Sequence, residues 1–160
     1  MPSSARLRHG GDLTRIVREL RAMDDKQVLK RFRKELRTAS RPLVPAVRAS
    51  IRQIPSKRPY RADGLRGQMS RATGVQVKTT GKQASVIIRV DGRKMPPKAK
   101  AIQSYMEGLK KPWRHPVYGN REVWVQQEPH PYFYKVMRAA GPRARLAVNR
   151  VMDQTSRDIT

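Results

Sequence analysis

The chain has 160 residues, no cysteine, and 36 Lys and Arg against 12 Asp and Glu, a formal charge of +24. That length holds one domain with a real core and leaves little room for two, and the missing cysteines exclude disulfides, zinc–thiolate sites and thiol nucleophiles. The excess is not a tail on a neutral body: residues 1–60 carry 16 basic and 5 acidic side chains, residues 61–160 carry 20 and 7, so a polyanion is the first partner to consider and a small metabolite a poor one.

Residues 1–11 are polar, include Gly10-Gly11 and lack the apolar core of a signal peptide. They read as a flexible arm on a soluble chain that is not exported by a cleaved signal. No later run approaches the roughly 18 apolar residues of a membrane span.

Residues 12–54 read as helical. Asp12 can cap a short helix with Leu13, Ile16, Val17 and Leu20 on one face. Asp24 and Asp25 then open a longer amphipathic pattern whose stripe runs through Phe32, Leu36, Leu43, Val47, Ile51 and Ile54. Pro42 and Pro45 predict a kink or break near Ser40, because each removes a backbone donor. Between Pro55 and Ser70 the periodicity is lost and Pro, Gly, Lys and Arg gather, which marks a loop.

From Thr73 the period changes to two. Val75 and Val77 alternate with polar residues, as do Ala84, Val86, Ile88 and Val90, which predicts a hairpin ended by Asp91-Gly92. Arg93 to Lys100 forms a second basic loop, and residues 101–108 fit either a short helix or a strand. Glu122 to Gln126 reads as one more strand, so residues 55–127 hold loops and a small antiparallel sheet of three or four strands. Residues 130–157 fit a C-terminal helix with a break at Gly141-Pro142. The order, long N-terminal amphipathic helices, then strands, then a helix, is that of a single α+β domain over residues 1–160.

Chemistry has little footing in this pattern. His9, His115 and His130 are far apart, and none stands at metal-ligand spacing with another His or a carboxylate. No pair of carboxylates is set in an apolar context that separates two pKa values. The chain therefore reads as a non-enzyme with neither metal nor cofactor. The basic loops supply the candidates for phosphate contact: Lys57, Arg58, Arg61 and Arg66, then Arg93, Lys94, Lys98 and Lys100, continued by Lys110 and Lys111.

Residues 111–133 gather both tryptophans and four prolines into one polar stretch. Their aromatics alternate with Pro, Val and Gly, which suits docking against protein better than a stacking platform for bases. Trp113, His115, Tyr118, Trp124, Tyr132 and Phe133 are accordingly candidates for contact with protein; that this contact is a subunit interface, and that Tyr105 and Glu107 join it, is what the resemblance described next implies.

Three short features carry a family resemblance: Pro59 followed by Gly64-Leu65-Arg66 ahead of the hairpin, then Tyr105, Glu107 and Gly108, then the proline–aromatic junction Pro129-His-Pro-Tyr-Phe133. Over residues 12–155 the chain resembles the phage Hong Kong 97 gene-product-ten family, small proteins of the head–tail joining region of long-tailed phages. It departs from the family where many members follow the central glycine with threonine, because here Leu109-Lys-Lys-Pro follows Gly108.

The resemblance implies a structural virion protein, one copy of a homo-oligomeric ring in the neck between a portal-side adaptor or stopper and the tail terminator or tail tube. Such a ring would be assembled in the host cytoplasm, located at the head–tail junction and threaded by genomic DNA, with no membrane partner. A tail terminator or tail-completion protein is the near alternative, and a basic nucleic-acid-binding protein the alternative from another class.

Overall fold

The structure, a computed structural model, describes residues 3–7, 12–80, 82–109, 113–117 and 120–160, and leaves the side chains of Trp113, His115 and Val117 undescribed. The architecture is α+β: six helices, a three-stranded antiparallel sheet and a separate two-stranded hairpin. Among the described residues no helix is long and apolar enough to cross a membrane.

The N-terminal half follows its periodicity. Helix α1 (Asp12–Ala22) buries Leu13, Ile16, Val17 and Leu20. Helix α2 (Lys26–Ser40) starts at Asp25, whose carboxylate accepts the N–H groups of Gln27 and Val28 at 2.8 and 3.2 Å, the ordinary relief of unpaired donors at a helix start. It ends where expected, since Pro42 has no N–H to offer Thr38; the Arg41 N–H donates to that carbonyl instead. Helix α3 (Leu43–Arg52) resumes the stripe with Leu43, Val47 and Ile51, and Pro45 sits harmlessly in its first turn.

The sheet has the order β1-β3-β2, from β1 (Ser4–Leu7), β2 (Thr73–Lys78) and β3 (Ser85–Val90). Central β3 buries Val86, Ile88 and Val90. Its neighbours bring Ala5 and Val75 opposite Ile88, and Leu7 and Val77 opposite Val86, onto the same pleat face. Helices α2, α3, α4 (Leu65–Ala72) and α6 (Tyr134–Asp158) contact this sheet. Their apolar residues join it in one core that extends from Leu7 to Met152.

Four expectations are corrected. Residues 4–7 are not a flexible arm but the edge strand β1, fully registered against β3. The loop read over 55–70 ends at Gly64, after which α4 turns Met69 and Ala72 inward. The glycine taken as a loop signal is there for packing: a Cβ on Gly67 would fall 2.0 Å from the Ala62 carbonyl oxygen.

The strand at 122–126 does not extend the sheet. It belongs to β5 (Asn120–Gln127), which among the described residues pairs only with β4 (Trp113–Val117). Finally, α6 runs unbroken through Pro142. Gly141 has no Cβ to meet the proline ring, and Ala144, Val148 and Met152 are buried in the core beyond it, so packing offsets the lost hydrogen bond. Residues 102–106, left open between helix and strand, form α5 (Ile102–Met106).

Candidate functional site

Glu107 directly follows α5 and is buried. Its carboxylate reaches the start of α6 and accepts three backbone N–H groups: Tyr132 at 2.9 Å and Phe133 at 2.8 Å on Oε2, and Tyr134 at 2.8 Å on Oε1. A carboxylate at the positive end of a 25-residue helix is favoured by both the unpaired donors and the aligned peptide dipoles. Gly108 follows at φ +78°, the left-handed conformation that lets the chain leave α5.

That cap relocates part of the expected interface. Tyr132 and Phe133 are fully buried inside the protomer, with rings in edge contact. The Tyr132 hydroxyl donates to the Gln103 carbonyl at 3.3 Å, and burial pushes its phenol above the ordinary tyrosine range. Tyr132, Phe133 and Glu107 are therefore core and cap of one chain and not a surface between chains. Tyr105 is half-buried in α5. Tyr118 lies outside the described residues, as do the side chains of Trp113 and His115.

Trp124 stays outside. It is 50% exposed, with Val123 at 50% and Val125 at 44%, so both faces of β5 present apolar side chains to solvent. Its indole N–H donates to the Arg121 carbonyl at 2.7 Å, which holds the ring over its own hairpin. A two-stranded hairpin is marginally stable by itself. Residues 113–127 also carry only Arg114, Arg121 and Glu122 as charged side chains, a nearly neutral strip on a protein of charge +24.

The basic candidates divide in the same way. Arg66, on α4, donates to the carbonyls of Arg52 (3.2 Å), Ile54 (3.0 Å) and Arg58 (2.8 Å). Its forked guanidinium thus caps the open end of α3 and holds the 55–63 loop down. Its charge sits 5.7 Å from the ring centre of Tyr60, and that of Arg52 at 5.5 Å. Arg61 is bound to Asp63 by two contacts of 3.0 and 2.7 Å, and Arg71 donates to the Ala62 carbonyl. Arg66 is thereby corrected from phosphate contact to internal clamp, and Arg61 is tied up in an ion pair.

Arg93 is likewise engaged: it binds Asp91 through Nε at 3.0 Å and a terminal nitrogen at 2.9 Å, with Arg89 at 3.1 Å on the same carboxylate. The Arg93 hydrogen bonds, with help from Arg89, hold the Asp91 carboxyl down at about 2. Lys57, Arg58, Lys94, Lys98 and Lys100 are exposed. The second basic loop folds into two short 3-10 turns and closes on itself, a Cβ on Gly92 falling 2.7 Å from the Lys100 carbonyl oxygen. Lys110 and Lys111 lie outside the described residues.

Between the 55–66 segment and α5 lies a cleft of about 610 Å³. Ile54, Leu65, Met69, Ile102 and Met106 supply its apolar lining, while Arg58, Arg61 and Arg66 stand with Asp63 around it. An apolar floor with a cationic edge was not legible in the sequence, because its lining comes from three elements separated by the whole hairpin. Among the described residues no group of three His, Asp or Glu side chains is placed to hold a metal ion. No family model, curated protein or solved structure matches the chain.

Proposed function

We propose that the protein is a structural subunit of a phage head–tail connector, a neck ring between the portal-side adaptor and the tail tube, surrounding the DNA channel. The observation that carries this reading is strand β5 of the β4–β5 hairpin: it exposes Val123, Trp124 and Val125 on both of its faces, in a stretch of low net charge attached to a chain that is otherwise strongly basic. An apolar strip of this kind is covered by assembly. Copies of a chain with charge +24 associate most easily where that charge is absent, and DNA phosphates in the channel compensate the rest.

The resemblance to the Hong Kong 97 gene-product-ten family supports the same reading through positions with visible structural roles. Gly64, Leu65 and Arg66 start α4 and clamp α3; Glu107 and Gly108 cap α6 and turn out of α5. Electron microscopy of virions tests the proposal. A ring of this protein at the head–tail junction is the expected result, and its confinement to the capsid shell or the tail tip overturns it.

Deletion of the gene separates the neck role from tail termination. Tails of correct length that fail to attach are expected of a neck subunit, and tails of uncontrolled length of a terminator.

Exposed Lys57, Lys94, Lys98 and Lys100 favour a second reading, a nucleic-acid-binding protein whose charge is its function. Tight binding to free duplex that falls steeply between low and physiological salt, without ring formation, would favour that reading over the connector.

A further inference from the structure

We propose that the acidic turn between α1 and α2 of one copy docks into the basic-edged cleft of the next copy. The inference rests on the ring reading above and names a contact that would build the ring. Whatever enters the cleft must bring an apolar side chain for the floor of Ile54, Met69, Ile102 and Met106, and negative charge for an edge with three guanidiniums and one carboxylate. Most of a second copy is repelled there, because the chain carries three basic residues for each acidic one.

The α1–α2 turn meets both requirements with two carboxylates, where Glu122 beside Val123 and Trp124 offers one next to Arg121. Asp24-Asp25 is the only pair of adjacent acidic residues in the sequence, and it follows Met23, which is 52% exposed. An exposed methionine is a flexible apolar anchor suited to an irregular floor. Asp24 holds φ +52°, a left-handed conformation that aspartate tolerates better than most residues. Asp25 is partly engaged as the cap of α2. Asp24 takes part in none of the ion pairs among the described residues, which use Glu19, Glu35, Asp63 and Asp91.

The turn does not line the cleft of its own protomer. Turn and cleft are different patches, so their contact is heterologous: each copy gives one and receives one, and the series closes into a ring or extends as a filament. The hairpin and the cleft adjoin at Gln127, which ends β5 and lines the cleft.

The absence of native cysteine makes the test clean, because introduced thiols are the only ones. Full-length Met23→Cys and Leu65→Cys chains, mixed and mildly oxidised, are expected to give a disulfide-linked heterodimer. Met23→Cys with Leu146→Cys is expected to give none, although Leu146 is 59% exposed and Leu65 only 37%. In sedimentation, Asp24→Asn keeps the backbone conformation and weakens assembly about threefold to tenfold. Arg58→Glu weakens it too, and Asp24→Arg restores part of the loss when combined with Arg58→Glu.

Rings that form with no Met23–Leu65 cross-link and no response to Asp24→Asn overturn this contact and leave the ring standing. A chain that stays monomeric at every concentration overturns both. A cleft that binds an acidic peptide or single-stranded DNA while assembly ignores Asp24→Asn also overturns the proposal, in favour of that other occupant.

Discussion

Glu107 and Trp124 stand 17 positions apart and are treated in opposite ways: the charged residue is buried, the indole is left half in solvent. Around Glu107, and around Arg66 on the neighbouring α4, ionic side chains are turned against backbone. Glu107 accepts three N–H groups at the start of α6, and Arg66 donates to two carbonyls at the end of α3 and one in the loop beyond it. In β5, Val123, Trp124 and Val125 are offered outward. The first region stabilises the protomer with charge, where the uncompensated dipoles of helix ends make a buried ion favourable. The second leaves apolar surface in contact with water.

The contrast is tested most severely at Glu107. Glu107→Ala orphans three backbone donors, two of them fully buried, and is expected to lower stability by about 3 kcal/mol or more, with Glu107→Gln recovering part through its one carbonyl oxygen. Urea denaturation measures it, and a loss under about 1 kcal/mol would show that α6 is held by its buried face alone. Next comes Arg66→Ala, expected to cost about 2 kcal/mol, with Arg66→Lys retaining little because an ammonium cannot address three carbonyls in a fork. Equal stability of Lys and wild type would reduce the clamp to a simple charge effect.

At the hairpin the expectation reverses. Trp124→Ser together with Val125→Ser should shift protomer stability by no more than about 0.5 kcal/mol, as for exposed sites generally, while assembly into rings is lost. A large drop in melting temperature with assembly intact would place the hairpin among the elements that hold the fold.

The smallest effect is at Asp91. Its folded carboxyl lies at about 2, below the ordinary value of 3.8, chiefly through Arg93. A depressed carboxyl contributes stability that is complete above the unfolded value and is lost as pH falls through the folded one. The contribution should therefore be present above about pH 4 and fade toward pH 2, and Arg93→Ala should flatten that part of the profile, read by thermal melts at stepped pH.

Much of the fold could be read from residue order because its signals are local. The stripes of α1, α2 and α3 depend on spacing of three and four, the break at Ser40 on Pro42, and the β2–β3 hairpin on strict alternation. Strand β1 escaped notice because Ser4 to Leu7 is too short to carry a period, and its partner β3 lies some 80 residues away. Helix α4 was hidden by Gly64 and Gly67, the second of which allows a close approach to Ala62.

Composition and periodicity by themselves determined the class of the molecule: an α+β core in a strongly basic chain, with the polar aromatic segment as its anomaly. Only the tertiary structure decided which members of each group are available. It drew Tyr132 and Phe133 into the core and left Trp124 outside; it tied Arg61, Arg66 and Arg93 to carbonyls and carboxylates and left Lys57, Lys94, Lys98 and Lys100 exposed. The reason is physical. Charge and hydropathy belong to a residue, whereas burial and pairing depend on what the fold brings beside it, and at Glu107 that neighbour lies 25 residues along the chain.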